Sequence, residues 1–327
     1  MRRSASEKME LIRIVEDSDL SIRATLEHLG IARSTFYGWY ERYLDGGFDA
    51  LEDRKPRRRA GWNQIPKRVR ENILALALDR TELSPRELAC RYTDDERYFV
   101  SESSIYRILK AHDLITSPVY VLLSASDSFK NPTRRVHELW QTDFTYFRII
   151  GWGWYYLSTV LDDYSRYIIS WKLSATMGAT DVEQTLDQAL AVTGVQSVPV
   201  RHRPRLLSDN GPAYVSSQLR DYLSEQGMTH TRGAPYHPMT QGKIERYHRS
   251  MKAVVKLDHY YFPWELEAAL RNFVAYYNNE RYHESLDNVT PADVYFGRQQ
   301  TLLSERQRIK QDTMKQRKKE FLAATAA

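Results

Sequence analysis

Three apolar and aromatic runs between residues 140 and 174 constrain the fold of this chain most strongly. They read WQTDFTYFRII, WGWYYLSTVLD and RYIISWKLS, and they are rich in the β-branched and aromatic residues that favour strands. Gly151 and Gly153 mark the first connection between them, and DDYS at 162–165 marks the second. Because connections this short join antiparallel neighbours, the three runs predict an antiparallel meander.

Helices and short strands alternate after the meander. The spacing of apolar residues predicts helices over 179–193, 213–226, 240–257 and 263–279. Two short apolar segments, PRLLSD and MTHTRG, predict strands between the first three of these helices. Periodicity alone therefore predicts a mixed α/β domain and does not specify its topology.

Two helical units precede the β-rich region. Residues 1–52 contain SIRATLEHL, the turn GIA and RSTFYGWYERY, which is the order of a helix-turn-helix, with its second helix beginning near Arg33. Residues 67–115 repeat this organisation, with a capping-box start at Ser84 and a second helix in SESSIYRILKAH. Since ordinary helical bundles share these patterns, DNA binding and a purely structural role remain alternatives for both units.

Polar and basic segments connect and follow these units. Residues 53–66 form a linker with the run RKPRRR, residues 116–136 form a second linker, and 299–327 form a basic C-terminal tail. A basic arm can track phosphates or enter a minor groove, and a solvated tether is the alternative. For the tail, a helix that binds DNA or a neighbouring subunit and a frayed segment both remain open. The candidate DNA contacts in the front half of the chain are Arg33, Ser34, Thr35, Tyr37, Arg57, Arg58, Arg59, Ser103, Ser104 and Arg107.

Composition narrows the functional classes. The formal charge of +5 and the pI of about 9.0 suit a polyanionic partner. The single cysteine, Cys90, excludes an internal disulfide and a cysteine-based zinc site. No segment approaches the roughly 18 consecutive apolar residues of a membrane span, and the N-terminus lacks the apolar core of a signal peptide. We therefore expect a soluble cytoplasmic protein that does not bind membranes.

Three acidic residues stand out by their positions. Asp143 lies inside the first predicted strand, Asp209 ends the fourth, and Glu245 lies in the first turns of a helix. A carboxylate inside a strand is unfavourable unless it is paired or binds a cation, and α/β folds build their sites at strand ends and helix starts. The chain has 42 Asp and Glu residues, so spacing alone is weak evidence. The structural context of each acid is what predicts a shared cation site.

The sequences around these acids resemble a known family. WQTDFTYF, SDNGPAY and HPMTQGKIERYHRSMK are similar to the three blocks of the DDE core of retroviral integrases and bacterial insertion-sequence transposases. LDDYSRYIISW and YYNNERYHESLDNVTPADVYFG extend the resemblance over about residues 137–298. Two departures are visible: the single cysteine excludes the zinc module of retroviral integrases, and Arg281-Tyr282-His283 stands where insertion-sequence relatives usually have Arg-Pro-His.

The resemblance implies a multi-domain protein with all-α helix-turn-helix units followed by an α/β domain of the RNase H-like type. It implies that Asp143, Asp209 and Glu245 are the catalytic residues and the ligands of two Mg²⁺ or Mn²⁺ ions when DNA is bound. We assign the bridging position to Asp143, because a central strand is the most rigid platform. Lys252 occupies the family's cation position after the glutamate. The other candidate DNA contacts of this region are Arg249, Asn210 and Lys243.

The function implied is that of a DNA transposase acting in the bacterial cytoplasm, at the nucleoid. Such an enzyme binds the terminal inverted repeats of an insertion sequence, cleaves a strand and joins the freed 3′-OH to target DNA. Since two ends must be brought together, we expect a homodimer or a larger synaptic assembly, without a small-molecule cofactor. Two alternatives remain: a transposon-derived DNA-binding protein with a non-catalytic core, and a metal-dependent nuclease without strand transfer.

Overall fold

The structure is a computed structural model that describes residues 3–18, 20–52, 61–115, 133–233 and 242–326. The chain divides into two compact units, residues 1–61 and 62–327. Most of the predicted linkers, including Arg57, Arg58 and Arg59, lies outside the described residues. Within the described ranges, every helix is too short or too polar to cross a bilayer.

The first unit is a three-helix domain whose third helix exposes its first turn. The helices are α1 (Ala5–Glu16), α2 (Ile22–His28) and α3 (Arg33–Gly46). Leu26, Phe36 and Leu51 are buried in its core, and α3 begins at the predicted residue. The candidate DNA contacts on α3 all lie on its exposed surface: Arg33, Ser34, Thr35 and Tyr37.

Three further helices open the second unit: α4 (Lys67–Asp79), α5 (Pro85–Glu96) and α6 (Glu102–Ala111). The capping box at Ser84 is confirmed, because its side chain accepts a hydrogen bond from the Glu87 backbone while the Glu87 carboxylate accepts one from the Ser84 N–H. Ile73, Leu88 and Ile105 pack into the core of these helices. On α6, Ser103 and Arg107 are exposed and Ser104 is half-buried.

The α/β domain is built on a five-stranded mixed sheet. Its strands are β1 (Leu139–Ile149), β2 (Gly153–Asp162), β3 (Ile168–Ser174), β4 (Arg205–Ser208) and β5 (His230–Arg232). They lie in the order β3-β2-β1-β4-β5. β1, β2 and β3 pair antiparallel, which confirms the meander, whereas β4 and β5 join in parallel beside β1.

Helices cover both faces of this sheet. On one face lie α7 (Ala179–Thr193), α8 (Pro212–Val215) and α9 (Ser217–Glu225), and on the other lie α10 (Gly242–Val255) and α11 (Pro263–Asn279). The single helix predicted over 213–226 is wrong, because Ser216 adopts extended dihedral angles and its hydroxyl accepts a hydrogen bond from Leu219 N. A serine there starts a new helix by capping it.

The C-terminal region folds into α12 (Pro291–Tyr295) and the 28-residue α13 (Gln299–Ala326). The tail is therefore helical over almost its whole length. Near its start, Leu302 and Leu303 pack against Leu286 and Val294 of the α/β domain. Farther along, Arg317 donates hydrogen bonds to the Tyr98 hydroxyl and to the Phe99 carbonyl, at 2.8 and 2.7 Å. Helix α13 thus contacts both the α/β domain and the connection between α5 and α6.

A three-way polar contact strengthens this connection. Arg306 donates hydrogen bonds to both carboxylate oxygens of Asp94 on α5, at 2.7 and 2.6 Å, and a third to the Asn288 carbonyl at 2.7 Å. The Tyr282 hydroxyl also donates to Asp94, at 2.8 Å. Two-pronged arginine–carboxylate pairs are among the stronger polar contacts in proteins. The tyrosine that replaces the usual proline of Arg-Pro-His therefore has a partner of its own in this chain.

We expect Arg306→Met to loosen α5 from α13, because it leaves the Asp94 carboxylate without its guanidinium. Cys90, the only cysteine in the sequence, lies one helical turn before Asp94 and is half-buried. Hydrogen bonds to charged groups contribute about 1.5–3 kcal/mol, so the rate of maleimide labelling at Cys90 should rise by about tenfold or more. Arg97→Gln, which removes the more exposed ion pair between Arg97, directly after α5, and Glu305 of α13, should leave the rate unchanged. An unchanged rate in Arg306→Met means that the contact does not hold α5 in place.

Candidate active site and its supporting network

The parallel register of β1 and β4 brings two of the predicted acids together. Trp140 pairs with Leu206 and Gln141 pairs with Leu207. Two residues farther on each strand, this register sets Asp143 level with Asp209, directly after β4 ends at Ser208. Neighbouring strands lie about 4.8 Å apart. Two acidic residues therefore lie side by side at the carboxyl end of β4, beside the continuing strand β1.

A tight turn fixes the orientation of Asp209. The Gly211 N–H donates a hydrogen bond to Asp209 Oδ1 at 2.8 Å. A Cβ atom at position 211 would lie 3.0 Å from that oxygen, a close contact that the glycine avoids. The Asn210 side chain donates to the Gly233 carbonyl at 2.9 Å and so ties this turn to the end of β5. The Asn210 side chain thus helps to shape the turn, and its contact with DNA remains a prediction.

Asp143 and Asp209 line one cavity of about 500 Å³. Tyr214 of α8 lies in the same wall, with its hydroxyl 3.5 Å from Thr142 Oγ1. Burial raises the pKa of Tyr214 well above its usual value, and the negative charges of Asp143 and Asp209 raise it further. The phenol therefore stays neutral beside the two carboxylates.

Helix α10 faces Asp143 with a histidine and a lysine. His248 Nδ1 lies 3.4 Å from Asp143 Oδ2. The Lys252 ammonium lies 4.6 Å from the centre of the Tyr146 ring. Burial lowers the pKa of Lys252, as does the charge of Lys256, whereas Asp143 raises it. Lys252 is thus close enough to Asp143 to interact with it electrostatically.

The third acid, Glu245, is exposed in the first turn of α10. It precedes His248 by three residues and Lys252 by seven, so the three side chains share one face of the helix. Arg249 is exposed on the same helix. The sequence pointed to Arg249 and Lys252 on this helix but not to His248, although a spacing of three residues from Glu245 puts His248 on the same face. Glu245 is not among the residues that line the cavity.

The donor set suits a divalent cation. Among the residues that the structure describes, no three His, Cys, Asp or Glu side chains converge closely enough to hold a metal by themselves. Carboxylates repel one another, so convergence of Asp143, Asp209 and Glu245 needs a cation to offset their charge. Carboxylate oxygens are the ligands that Mg²⁺ and Mn²⁺ prefer. One acid inside β1, a second directly after the end of β4 and a third on α10 therefore fit such an ion.

A buried polar network joins the strand of Asp143 to the helix of Glu245. The Gln141 side chain donates to Asp163 Oδ1 at 2.7 Å and accepts from the Ile244 N–H at 3.1 Å. The Lys243 ammonium donates to Asp163 Oδ2 at 2.6 Å and to the Asp163 carbonyl at 3.0 Å. Gln141 precedes Asp143 by two residues, and Lys243 precedes Glu245 by two. The network therefore holds both backbones beside the candidate site.

This network corrects one predicted DNA contact. Lys243 was expected to bind DNA, but only 8% of its side chain is exposed and its ammonium forms an ion pair with Asp163. A buried ammonium needs such a partner, because the loss of hydration is costly. We therefore assign Lys243 a structural role.

Comparison with protein families identifies the domains. Residues 133–238 match an integrase core domain, and residues 226–291 match a second model with the same description. Residues 7–60 match a helix-turn-helix domain, and residues 35–109 match a homeodomain-like domain. The expected order, helix-turn-helix domains followed by an integrase-type α/β core, is confirmed.

Several known proteins are similar to this chain. The transposase for insertion sequence element IS629 of Shigella sonnei is 32% identical over 161 residues, which are 49% of this chain and 52% of that protein. The InsK protein of insertion sequence element IS150 of Escherichia coli (strain K12) is 29% identical over 160 residues, 49% of this chain and 54% of that protein. The chain thus spans about half the length of these two relatives.

Two viral proteins also align. The Gag-Pro-Pol polyprotein of mouse mammary tumor virus (strain BR6) is 33% identical over 135 residues, which are 40% of this chain and 7% of the polyprotein. The solved HTLV-2 integrase catalytic core domain in complex with magnesium (dimeric form) aligns at 19% identity with a TM-score of 0.39. That alignment covers 49% of this chain and 97% of the other.

The buried pair of Lys243 and Asp163 yields a stability prediction. Lys243→Met leaves the Asp163 carboxylate buried without its cation, which should cost about 3–5 kcal/mol in the free energy of unfolding. Combining Lys243→Met with Asp163→Asn removes the negative charge that the single variant leaves unpaired. The double variant should therefore lose less stability than the two single variants added together. Urea unfolding measures all three, and strictly additive losses contradict the coupling.

Proposed function

We propose that this chain, a relative of bacterial insertion-sequence transposases with an integrase core domain behind helix-turn-helix domains, is a metal-dependent DNA transposase. The observation that carries the proposal is the register of β1 and β4, which sets Asp143 level with Asp209 on one cavity. His248 and Lys252 on the facing helix supply polar and positive groups beside Asp143. Two neighbouring acids, Asp143 and Asp209, with the Lys252 ammonium nearby, suit a reaction at a phosphodiester.

We assign metal ligation to Asp143, Asp209 and Glu245. Two Mg²⁺ or Mn²⁺ ions, when bound there, supply activation of the attacking oxygen and stabilisation of the leaving oxygen. Two sets of hydrogen bonds hold the backbone segments that carry these acids. One joins Asn210 to Gly233, and the other is the buried network of Gln141, Asp163 and Lys243. Their function in this proposal is to keep the carboxylates in place against mutual repulsion.

The reaction comprises two displacements at phosphorus. First, a water oxygen attacks the phosphorus at the 3′ end of the element, and the P–O3′ bond breaks. The flanking strand keeps the phosphate, and the element gains a 3′-OH. In the second displacement, this 3′ oxygen attacks a target phosphorus, forming a new P–O3′ bond and releasing the target 3′-OH. Both steps are in-line and neither forms a covalent bond to the protein. Lys252 binds the phosphate that is attacked.

The helical domains supply recognition. We assign the exposed first turn of α3 and the exposed residues of α6 to the terminal inverted repeats, since a recognition helix reads bases through its N-terminal residues. Arg249, Asn210 and the basic run at Arg57, Arg58 and Arg59 are proposed to contact DNA as well. Two ends must be held together, so we propose a homodimer or larger assembly that acts at the bacterial nucleoid.

Removing any of the three acids should abolish both steps. Asp143→Asn, Asp209→Asn and Glu245→Gln should each reduce strand joining by on the order of a thousandfold, because metal-supported charge stabilisation contributes several kcal/mol. Labelled DNA ends from the sequence flanking the gene, a target plasmid and Mg²⁺ or Mn²⁺ form the assay. Asp221→Asn, which neutralises an exposed acid on α9, is the matched control and should join at the wild-type rate.

The wild-type products distinguish the rival functions. Joined products support a transposase, nicked ends without joining indicate a nuclease, and shifted but uncut DNA indicates a DNA-binding protein. Full cleavage by Asp143→Asn would show that the metal assignment is wrong.

Lys252→Gln tests the phosphate contact. Loss of a hydrogen bond to a charged group costs about 1.5–3 kcal/mol, so joining should fall by about tenfold or more, while binding to the terminal repeats persists through the helical domains. Lys256→Gln removes the same charge from an exposed position directly after α10 and should have a much smaller effect. Equal losses in the two variants would indicate a general charge effect and contradict the assignment.

A further inference from the structure

Two exposed aromatic side chains share the cavity with the carboxylates. Tyr146 of β1 and Trp154 of β2 are 52% and 51% exposed, and both line the cavity with Asp143. Their rings meet edge to face, with centroids 5.4 Å apart. Large aromatic surfaces gain free energy when they are covered. An exposed pair beside a candidate active site therefore points to a ligand that stacks on it.

Two positively charged side chains, Lys252 and Arg148, lie near this aromatic pair. The Lys252 ammonium lies 4.6 Å from the Tyr146 ring centre. Arg148 is exposed and is the cross-strand partner of Trp154, so the two side chains lie on the same face of the sheet. Aromatic platforms flanked by cations are the means by which proteins bind single-stranded nucleic acid, because bases stack while the cations contact phosphates.

The pairing register of β1 and β4 explains why Lys252 and Tyr146 can approach each other. β4 ends at Ser208, level with Thr142, so none of the described strands pairs with the far half of β1 on that side. Side chains from both faces of the sheet can therefore approach one another around the free edge of β1. Lys252 comes from the face covered by α10, and Tyr146 lies on the cavity side of this edge.

The size of the cavity limits what it can hold. A volume of about 500 Å³ falls within the range of about 300–1,000 Å³ that is typical of small-ligand sites. One base with its sugar fits such a space, whereas a base-paired duplex is too wide. A base must therefore leave the duplex to enter, which costs a few kcal/mol and least at an end that is already unpaired.

We propose that Trp154 and Tyr146 form a stacking site for one unpaired nucleobase of the DNA end, next to the phosphate that is cut. The location at the cut rests on the proposed function, whereas the stacking itself does not. Stacking tolerates any base, because every base has an aromatic face. The site holds the strand so that its phosphate stays beside Asp143 and Asp209, without reading sequence.

Fluorescence of a base analogue tests this site. The probe is a short oligothymidylate strand that carries one 2-aminopurine, titrated with the full chain in EDTA so that no cleavage occurs. Stacking on Trp154 should quench the probe. Because stacking on an aromatic side chain contributes about 5- to 150-fold in affinity per base, Trp154→Ala should weaken binding within that range and remove most of the quenching. Trp154→Phe should retain both.

Trp152→Ala is the matched control. Trp152 lies two residues earlier, is 54% exposed and does not line the cavity, so its loss should change neither affinity nor quenching. Equal effects of Trp152→Ala and Trp154→Ala, or no effect of either, overturn the proposal. The proposal is also overturned if the Trp154→Ala variant still quenches the probe but sediments as a smaller oligomer than the wild type. In that case the aromatic pair is covered by a second copy of the chain. Quenching by a wild-type protein that joins no DNA would refute the transposase proposal and leave the stacking site intact.

Discussion

The parallel pairing of β1 with β4 is the constraint on which the candidate site depends. It sets Asp143 level with Asp209 and then stops, because β4 ends at Ser208. Beyond that point the described part of β1 has a partner on one side only, and the cavity lies there. The same short strand thus brings the two acids together and leaves room for a substrate between β1 and α8.

Two polar connections hold this arrangement in place. The Gln141–Asp163–Lys243 network links β1, the turn after β2 and the start of α10. A buried ion pair contributes little net stability but is costly to break, so it favours one position of the helix over others. Among the helices, the Asp94–Arg306 pair fixes α13 to α5. The first connection acts on the carboxylates and the second on the helices that precede the core.

Local pattern accounts for what could be predicted from the sequence. The meander, α7 and α11 follow apolar periodicity, and Asp143 and Asp209 stood out because strand acids are unfavourable without a partner. Contacts between distant segments could not be predicted. Lys243 and Asp163 are 80 residues apart, and Arg306 and Asp94 are 212 apart, so neither the burial of Lys243 nor the docking of α13 has a local signal. The break at Ser216 was missed because a capping serine resembles a solvent-facing one.

The central claim is that Asp143, Asp209 and Glu245 hold the metal ions at the DNA end. Anomalous diffraction from Mn²⁺ in a crystal of the protein with its own DNA end, terminated without a 3′-OH, tests it most directly. We expect manganese peaks at coordination distance, about 2.1 Å, from carboxylate oxygens of all three residues. Manganese bound to the DNA alone, or to other side chains while these three carboxylates remain apart, would contradict it.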